Sequence, residues 1–296
     1  MLKPYELFEN ILLDIESGIK NNINTSILSK KYNFSEGHFR RLFSFAFKQS
    51  IAAYIRSRTL AASLNDILKT DTNILEIAAE YGFEYEQSYI RAFKREYGIT
   101  PGDLRKTGQI IKITPILHLS DENKLGESVI FGPDIVMVPR FHIIGKSYQI
   151  PFENSMEKAL QLAKQFWEIE RRQIEGTVNQ YVYFGLIRNM NQKKKPAEYI
   201  PSVQAENIKN IPQGFSGITL ETSMYARFRY IGQHHYYDID KNISSMMDNA
   251  VINFAQNENS KYKLSDDKTY FEMLDTRLYD GTYCQIEFYV PVSEKQ

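Results

Sequence analysis

Two groups of side chains in this 296-residue sequence have types and spacing that could do chemistry. The first lies between Leu75 and Arg105. Leu75 and Ile77 to Tyr81 form the apolar side of a short helix, and Gly82 is suited to positive φ in a tight turn before Phe83 re-enters the core. Tyr89, Phe93 and Tyr97 then recur at spacing four along a second helix, leaving Glu86, Gln87, Ile90, Arg91 and Lys94 on its other faces. Helix, glycine turn, helix is the arrangement that places its second helix in the major groove of DNA. The second group lies in the last predicted strand. Alternation puts Cys284, Ile286, Phe288 and Val290 on one face, to pack under helices, and Tyr283, Gln285, Glu287 and Tyr289 on the other, free to line a cleft. A carboxylate held among aromatic rings is costly unless a cation meets it, and the rings add cation–π attraction.

The elements that position the first group are legible in the pattern. Leu7, Ile11, Ile15 and Ile19 repeat every four residues and predict an amphipathic helix ending near Gly18 to Asn22. Ser26 to Phe47 then repeats the plan of the later stretch. Leu28, Tyr32, Asn33 and Phe34 match Ile77, Tyr81, Gly82 and Phe83 at an offset of 49, and Phe39, Arg41 and Phe43 match Tyr89, Arg91 and Phe93 at an offset of 50. Asn33 substitutes for the glycine because Asn tolerates the left-handed region, and Ser35 is a good N-cap. Between the copies, Ser50 to Lys69 reads as one helix without proline. At about 1.5 Å per residue it spans roughly 30 Å, close to one turn of B-DNA, so two recognition helices can meet successive major grooves.

Composition sets the outer bounds. Length favours two domains, and 43% apolar with 24% charged residues is ordinary for globular chains. Net charge is zero, yet Lys30 to Arg58 holds seven basic residues against one acid, Glu36, which suits a phosphate-facing patch. The single cysteine, Cys284, rules out an internal disulfide and any cysteine-rich zinc site. No run of eighteen apolar residues and no signal-peptide core is present, so the expected location is cytoplasmic, without membrane contact. No Gly-rich phosphate loop, nucleophile elbow or metal-protease motif occurs, and no catalytic residue, metal or cofactor is expected.

The set Ile77-Ala78, Gly82-Phe83, Tyr89, Arg91, Phe93-Lys94, Gly98, Thr100-Pro101 and Arg105 resembles the C-terminal signature of AraC/XylS-type transcription regulators. The resemblance implies a base-facing set. The first recognition helix would offer Gly37, His38, Arg40 and Arg41, and the second Glu86, Gln87, Ile90 and Arg91. Arg pairs bidentately with guanine, Gln with adenine, and Glu accepts from the cytosine amino group. Arg41 and Arg91 are the expected main readers.

A change from helix to strand places a domain boundary near residue 107, with 108–128 as linker and 129–296 as the second domain. That domain carries its own duplication at an offset of 87. Arg140 to Gly145 reappears as Arg227 to Gly232, and Tyr183-Phe184-Gly185-Leu186 as Tyr270-Phe271-Glu272-Met273, with a helical stretch inside each pair. Each copy reads strand, helix, strand, strand. Two copies make an α+β domain, an antiparallel sheet with both helices on one face, beside an all-α double helix-turn-helix domain. The plan and its terminal strand resemble the GyrI-like effector-binding domain, in the Rob-type organisation behind an AraC-type domain. The resemblance implies an amphipathic, cationic aromatic ligand with Glu287 as counter-charge, beside Tyr289, and Trp167, Phe184, Tyr199 and Tyr225 as walls. Pairing of Glu287 with Arg227 or Arg229 is the competing structural reading.

The function so implied is a transcription activator that binds double-stranded promoter DNA, contacts RNA polymerase and responds to a small-molecule effector. Two alternatives attach to the second domain. One is a hydrolase with Glu287 as general base and Tyr289 or another pocket tyrosine as partner; the other is a protein-interaction module with no small ligand.

Overall fold

The computed structural model describes residues 2–120, 123–150, 155–188, 197–238, 241–258, 260–265 and 269–295. The chain divides into two compact units, Pro4–Ser120 and Asp121–Gln296.

The first unit is helical. Helix α1 (Pro4–Gly18) buries Leu7, Phe8, Ile11, Leu12 and Ile15. The short α2 (Thr25–Lys31) and longer α3 (Glu36–Phe47) form the first helix-turn-helix, and α5 (Ile74–Glu80) and α6 (Glu86–Tyr97) form the second. The two turns are equivalent in backbone: Asn33 has φ 59° and Gly82 φ 79°. Left-handed φ at both positions lets each chain reverse tightly enough for its second helix to pack across its first. Helix α4 (Ile51–Lys69) joins them, and α7 (Pro101–Thr107) follows.

Polar ties fix α4 among its neighbours. Arg58 donates from Nε and Nη2 to the two carboxylate oxygens of Glu16 on α1, both at 2.8 Å. On the other side of the unit, Arg105 of α7 caps the end of α4, donating to the Ile67 carbonyl at 2.7 Å and the Thr72 carbonyl at 2.8 Å. Residues 108–120 carry no regular secondary structure but are held to α4. The Leu117 N–H donates to Tyr54 Oη at 2.9 Å, and Arg58 Nη1 donates to the Thr114 carbonyl at 2.6 Å. Farther on, β1 (Lys124–Leu125) and the first residue of β2 (Ser128–Val138) lie within the stretch expected to be linker.

The second unit is built on an antiparallel sheet. The remaining strands are β3 (Phe141–Gly145), β4 (Tyr148–Ile150), β5 (Val182–Arg188), β6 (Ala197–Ala205), β7 (Ser216–Leu220), β8 (Ser223–Gly232), β9 (Tyr262–Leu264), β10 (Tyr270–Asp275) and β11 (Cys284–Glu294). Helices α8 (Ser155–Glu168) and α9 (Lys241–Gln256) interrupt the two halves. The order is β1-β2-β8-β11-β10-β5-β6-β3-β7, with β4 on β6 and β9 on β11.

The expected repeat appears as β3-α8-β5-β6 and β8-α9-β10-β11, meeting at the β5–β10 pair. Each copy also has a preceding strand that the sequence pattern did not give. These strands are exchanged: β2 pairs with β8 of the second copy, and β7 with β3 of the first.

Both sheet faces are covered. Phe166 and Trp167 of α8 and Ala250, Val251 and Phe254 of α9 pack over Phe228, Tyr230, Cys284, Ile286 and Val290. On the other face Ile143, Phe184, Leu186, Ile200, Tyr225, Phe271 and Tyr289 form a second apolar core with Val136, Val138 and Ile218.

Candidate functional site

Beside α8, on the helix-bearing face, is a shallow open cleft, about 430 Å³ when the solvent at its mouth is included. Its walls are Leu160, Ala163 and Trp167 of α8, Tyr236 and Tyr237 after β8, and Tyr183, Leu274 and Ile286 of the central strands. Its carboxylate is Glu272, from the middle of β10. The lining is of the kind small-molecule sites have, mostly apolar and aromatic with one placed polar group.

Local sequence explains the geometry. Glu272 faces Gly185 across the β10–β5 ladder, where a Cβ on Gly185 would stand 2.4 Å from Glu272 Oε1. Absence of a side chain at Gly185 is what gives the carboxylate room. Tyr199 Oη donates to Glu272 Oε1 at 3.2 Å, and the hydroxyls of Tyr199 and Tyr183 are hydrogen-bonded to each other. Burial pushes the Glu272 carboxyl up to about 7, partly offset by the Tyr199 hydrogen bond. Burial likewise holds both tyrosines well above the usual phenol range. Trp167 stands edge-on to Tyr183, with ring centroids 6.1 Å apart, and the Arg171 guanidinium lies 4.0 Å from the Trp167 ring centroid.

The six residues expected at the ligand divide between the two faces. Trp167 lines the cleft, and Tyr199 lies behind Glu272. Phe184 and Tyr225 belong to the opposite core, as does Tyr289, which stacks on Phe271 at 4.4 Å. Glu287 is not a cleft residue. Arg227 Nη1 lies 3.3 Å from Glu287 Oε1, and Tyr289 Oη donates to Oε2 at 2.7 Å. Asp134 extends the cluster, 3.2 Å from Arg229 Nη2. The pairing with Arg227, read from sequence as the competitor, is the one the fold contains. Alternation did sort the strand, since Cys284, Ile286, Phe288 and Val290 pack under the helices. The cleft, however, opens on that same helix-bearing side.

Glu272, Tyr236 and Tyr237 were missed as cleft residues. A signal was present for Glu272: in the aligned segments Tyr183 to Leu186 and Tyr270 to Met273, it is the single charged residue, and its counterpart is glycine. Among the described residues no cluster of His, Cys, Asp and Glu suits a metal ion.

In the helical unit the expected base readers also divide. Arg41, Gln87 and Arg91 are exposed, and Glu86 and Ile90 are half-buried. Arg91 Nε donates to the Gln87 carbonyl at 3.2 Å. Arg40 is exposed and paired with Glu36 one turn earlier. His38 is buried, stacked on Phe34 with ring centroids 5.5 Å apart, and its N–H donates to the Ser35 cap at 3.3 Å. Its ring serves the turn rather than the solvent-facing surface. On α6 the inward side is the expected stripe, with Tyr89 Oη hydrogen-bonded to Ser63 Oγ of α4 at 2.8 Å.

The fold and the two candidate surfaces define an AraC-type helix-turn-helix regulator carrying a GyrI-like effector-binding domain. Residues 28–107 match the sequence model of a helix-turn-helix domain, and residues 134–292, more than half of the chain, match that of the integron-associated effector binding protein; the chain belongs to this family. Across both units it is similar to the transcriptional regulator Rob of Salmonella typhimurium, 25% identical over 234 residues, covering 76% of this chain and 78% of Rob. The regulatory protein SoxS of the same organism is 28% identical over 100 residues, 34% of this chain and 94% of SoxS. Among solved structures, an integron cassette protein from the mobile metagenome of Vibrio cholerae is 14% identical with a TM-score of 0.40, covering 56% of this chain and 99% of its own.

Proposed function

We propose that this protein is a one-component transcription activator acting in the cytoplasm, whose helical unit reads promoter DNA and whose second unit senses an amphipathic aromatic cation. The observation that carries the ligand class is Glu272, half-buried with its carboxyl desolvated, at an aromatic cleft lined by Trp167, Tyr183, Tyr236 and Tyr237. Such a carboxyl loses hydration on burial, and a cation flanked by ring faces restores its electrostatic partner. In this reading Glu272 takes the counter-ion role, and Glu287 stays in its ion pair with Arg227. Among the described residues no helix is long and apolar enough to cross a membrane.

For DNA, Arg41 of α3 and Gln87 and Arg91 of α6 are the proposed base readers, with RNA polymerase as partner at the promoter. The effector acts by favouring one promoter-bound state over another, which requires a different affinity for the two states.

The test is calorimetric titration of the full chain with tetraphenylphosphonium at pH 8, beside the neutral triphenylphosphine oxide. Micromolar binding of the cation alone, weakened at least tenfold in Glu272→Gln and kept within threefold in Glu287→Gln, supports the reading. Equal binding of both compounds, or loss in Glu287→Gln with retention in Glu272→Gln, rejects it.

A further inference from the structure

The cleft contains one carboxyl, and its pseudo-symmetric counterpart is Gly185, so nothing at the mirrored position adds a second acidic charge. The lining itself offers Glu272 no cation: Leu160, Ala163, Trp167, Leu274 and Ile286 are apolar, and the rest are Tyr183, Tyr236, Tyr237 and Thr276. Tyr199 Oη donates a hydrogen bond to the carboxyl.

Of the side chains lining the cleft Glu272 is the charged one, and the surrounding elements carry further charged and titratable groups, among them Asp248 of α9, whose carboxyl is raised by burial. On α8 and the turn after it, the Lys164 ammonium lies 5.0 Å from the Tyr237 ring centroid, Glu168 faces Tyr237, and Arg171 donates to the Trp167 and Gln180 carbonyls. On β10 itself, Asp275 is paired with Arg277 at 2.5 Å. After β8, His234 Nε2 is 2.8 Å from Tyr230 Oη, the His235 ring lies tilted against Tyr236 with centroids 4.1 Å apart, and Asp238 follows. From β5 and β6 come Tyr183 and Tyr199, and from β11 Cys284, whose thiol burial pushes far up.

We infer that the cleft works by exchange: a singly charged aromatic cation enters as Glu272 gives up its proton to solvent, so the site is neutral when empty and neutral again as an ion pair. The inference rests on the ligand reading given under Proposed function and specifies how it is regulated. A carboxylate in this lining lacks an opposite charge until the ligand supplies one, which favours the protonated form of the empty site. The carboxyl, pushed up to about 7, is therefore largely protonated at pH 6 and largely ionised at pH 8.5. An ion pair with the ligand pulls it down again. Linkage then requires cation affinity to rise about tenfold per pH unit below 7 and to level off above it.

Tetraphenylphosphonium is the probe because it has no proton of its own to release. Titrations of the full chain from pH 5.5 to 8.5, with pH 6 repeated in two buffers of different ionisation enthalpy, read both affinity and proton count. The expected result is close to one proton released at pH 6, almost none at pH 8.5, and the tenfold slope between 5.5 and 6.5. Glu272→Gln should lose the slope and the released proton. Tyr199→Phe removes the hydroxyl that steadies the carboxylate, so its affinity profile should keep one proton and move its midpoint to higher pH. That variant carries the test if Glu272→Gln binds too weakly to titrate. Binding without pH dependence in the parent, a slope retained in Glu272→Gln, or an unmoved midpoint in Tyr199→Phe would overturn the exchange while leaving the cleft as the ligand site. No binding at any pH would instead overturn the ligand reading on which it rests.

Discussion

Gly185 and Glu272 occupy equivalent places in the two copies of the repeat, and the absence of one side chain makes room for the other. Alanine at 185 would press its methyl against the carboxylate, and Gly185→Ala should weaken tetraphenylphosphonium binding about tenfold or more in the same titration. Glu272 also carries a stability signature. Its carboxyl sits near 7 in the folded protein against 4.5 for the free group, so between those values the native state binds the extra proton. The stability this proton confers is complete below about pH 4.5 and is lost as pH rises through about 7. Glutamine cannot ionise and escapes the loss. Urea melts of Glu272→Gln should match the parent near pH 4.5 and exceed it at pH 8 by up to about 3 kcal/mol, the equivalent of the shift. Equal stabilities at both pH values would show the carboxyl to be ordinary.

The helices of the first unit were readable because each of their signals has one physical meaning. Spacing four marks a buried stripe, and Tyr89 and Phe93 are indeed fully enclosed. Asn33 and Gly82 mark turns because few other residues accept positive φ. Replacing Gly82 with valine should therefore unfold or severely loosen the second helix-turn-helix, also because Asn22 packs against the glycine. Circular dichroism melts would read the loss. Arg41→Ala and Arg91→Ala leave the core untouched and should each cost about 1–3 kcal/mol of DNA affinity, with relaxed preference at the bases read; gel-shift competition with mutated sites measures both. His38, expected on the base-facing side because it is polar, is buried, since its ring is flat enough to stack on Phe34.

The strands of the second unit were harder, for a reason rooted in their two-sided burial. Alternation in β11 correctly divides its residues between faces, but a sheet packed on both sides has no polar face to point to solvent. The pattern says which residues share a side and not which side holds the opening, and Glu287, Phe184 and Tyr225, expected at a cleft, lie on the face opposite the opening beside α8. The offset of 87 was a sounder guide, since it located the strands that meet at the centre and the glycine–glutamate difference between them.

At the scale of the whole molecule, regulation requires that the effector change what the helical unit does on DNA. Fluorescence anisotropy of a promoter fragment with and without tetraphenylphosphonium should show a change of apparent affinity in the parent, abolished in Glu272→Gln. Equal DNA affinity at saturating ligand would confine the effector's influence to steps after binding. The segment 108–120 bears on how the units should be separated for such work. Because Tyr54 and Arg58 hold Leu117 and Thr114, a helical fragment ending at residue 120 should melt above one ending at 107, by thermal denaturation followed at 222 nm.

The exchanged strands have a consequence for chain connectivity. Each copy of the repeat lends its opening strand to the other, so neither can close its own sheet: β2 completes the neighbourhood of β8, and β7 that of β3. A break in the loop between β6 and β7 would leave two polypeptides that each expose an unsatisfied edge complementary to the other. Co-expressed as fragments, they should reassociate into one particle, and expressed singly they should aggregate. Arranged this way, the second unit is a two-fold strand-swapped dimer whose subunits happen to be covalently joined.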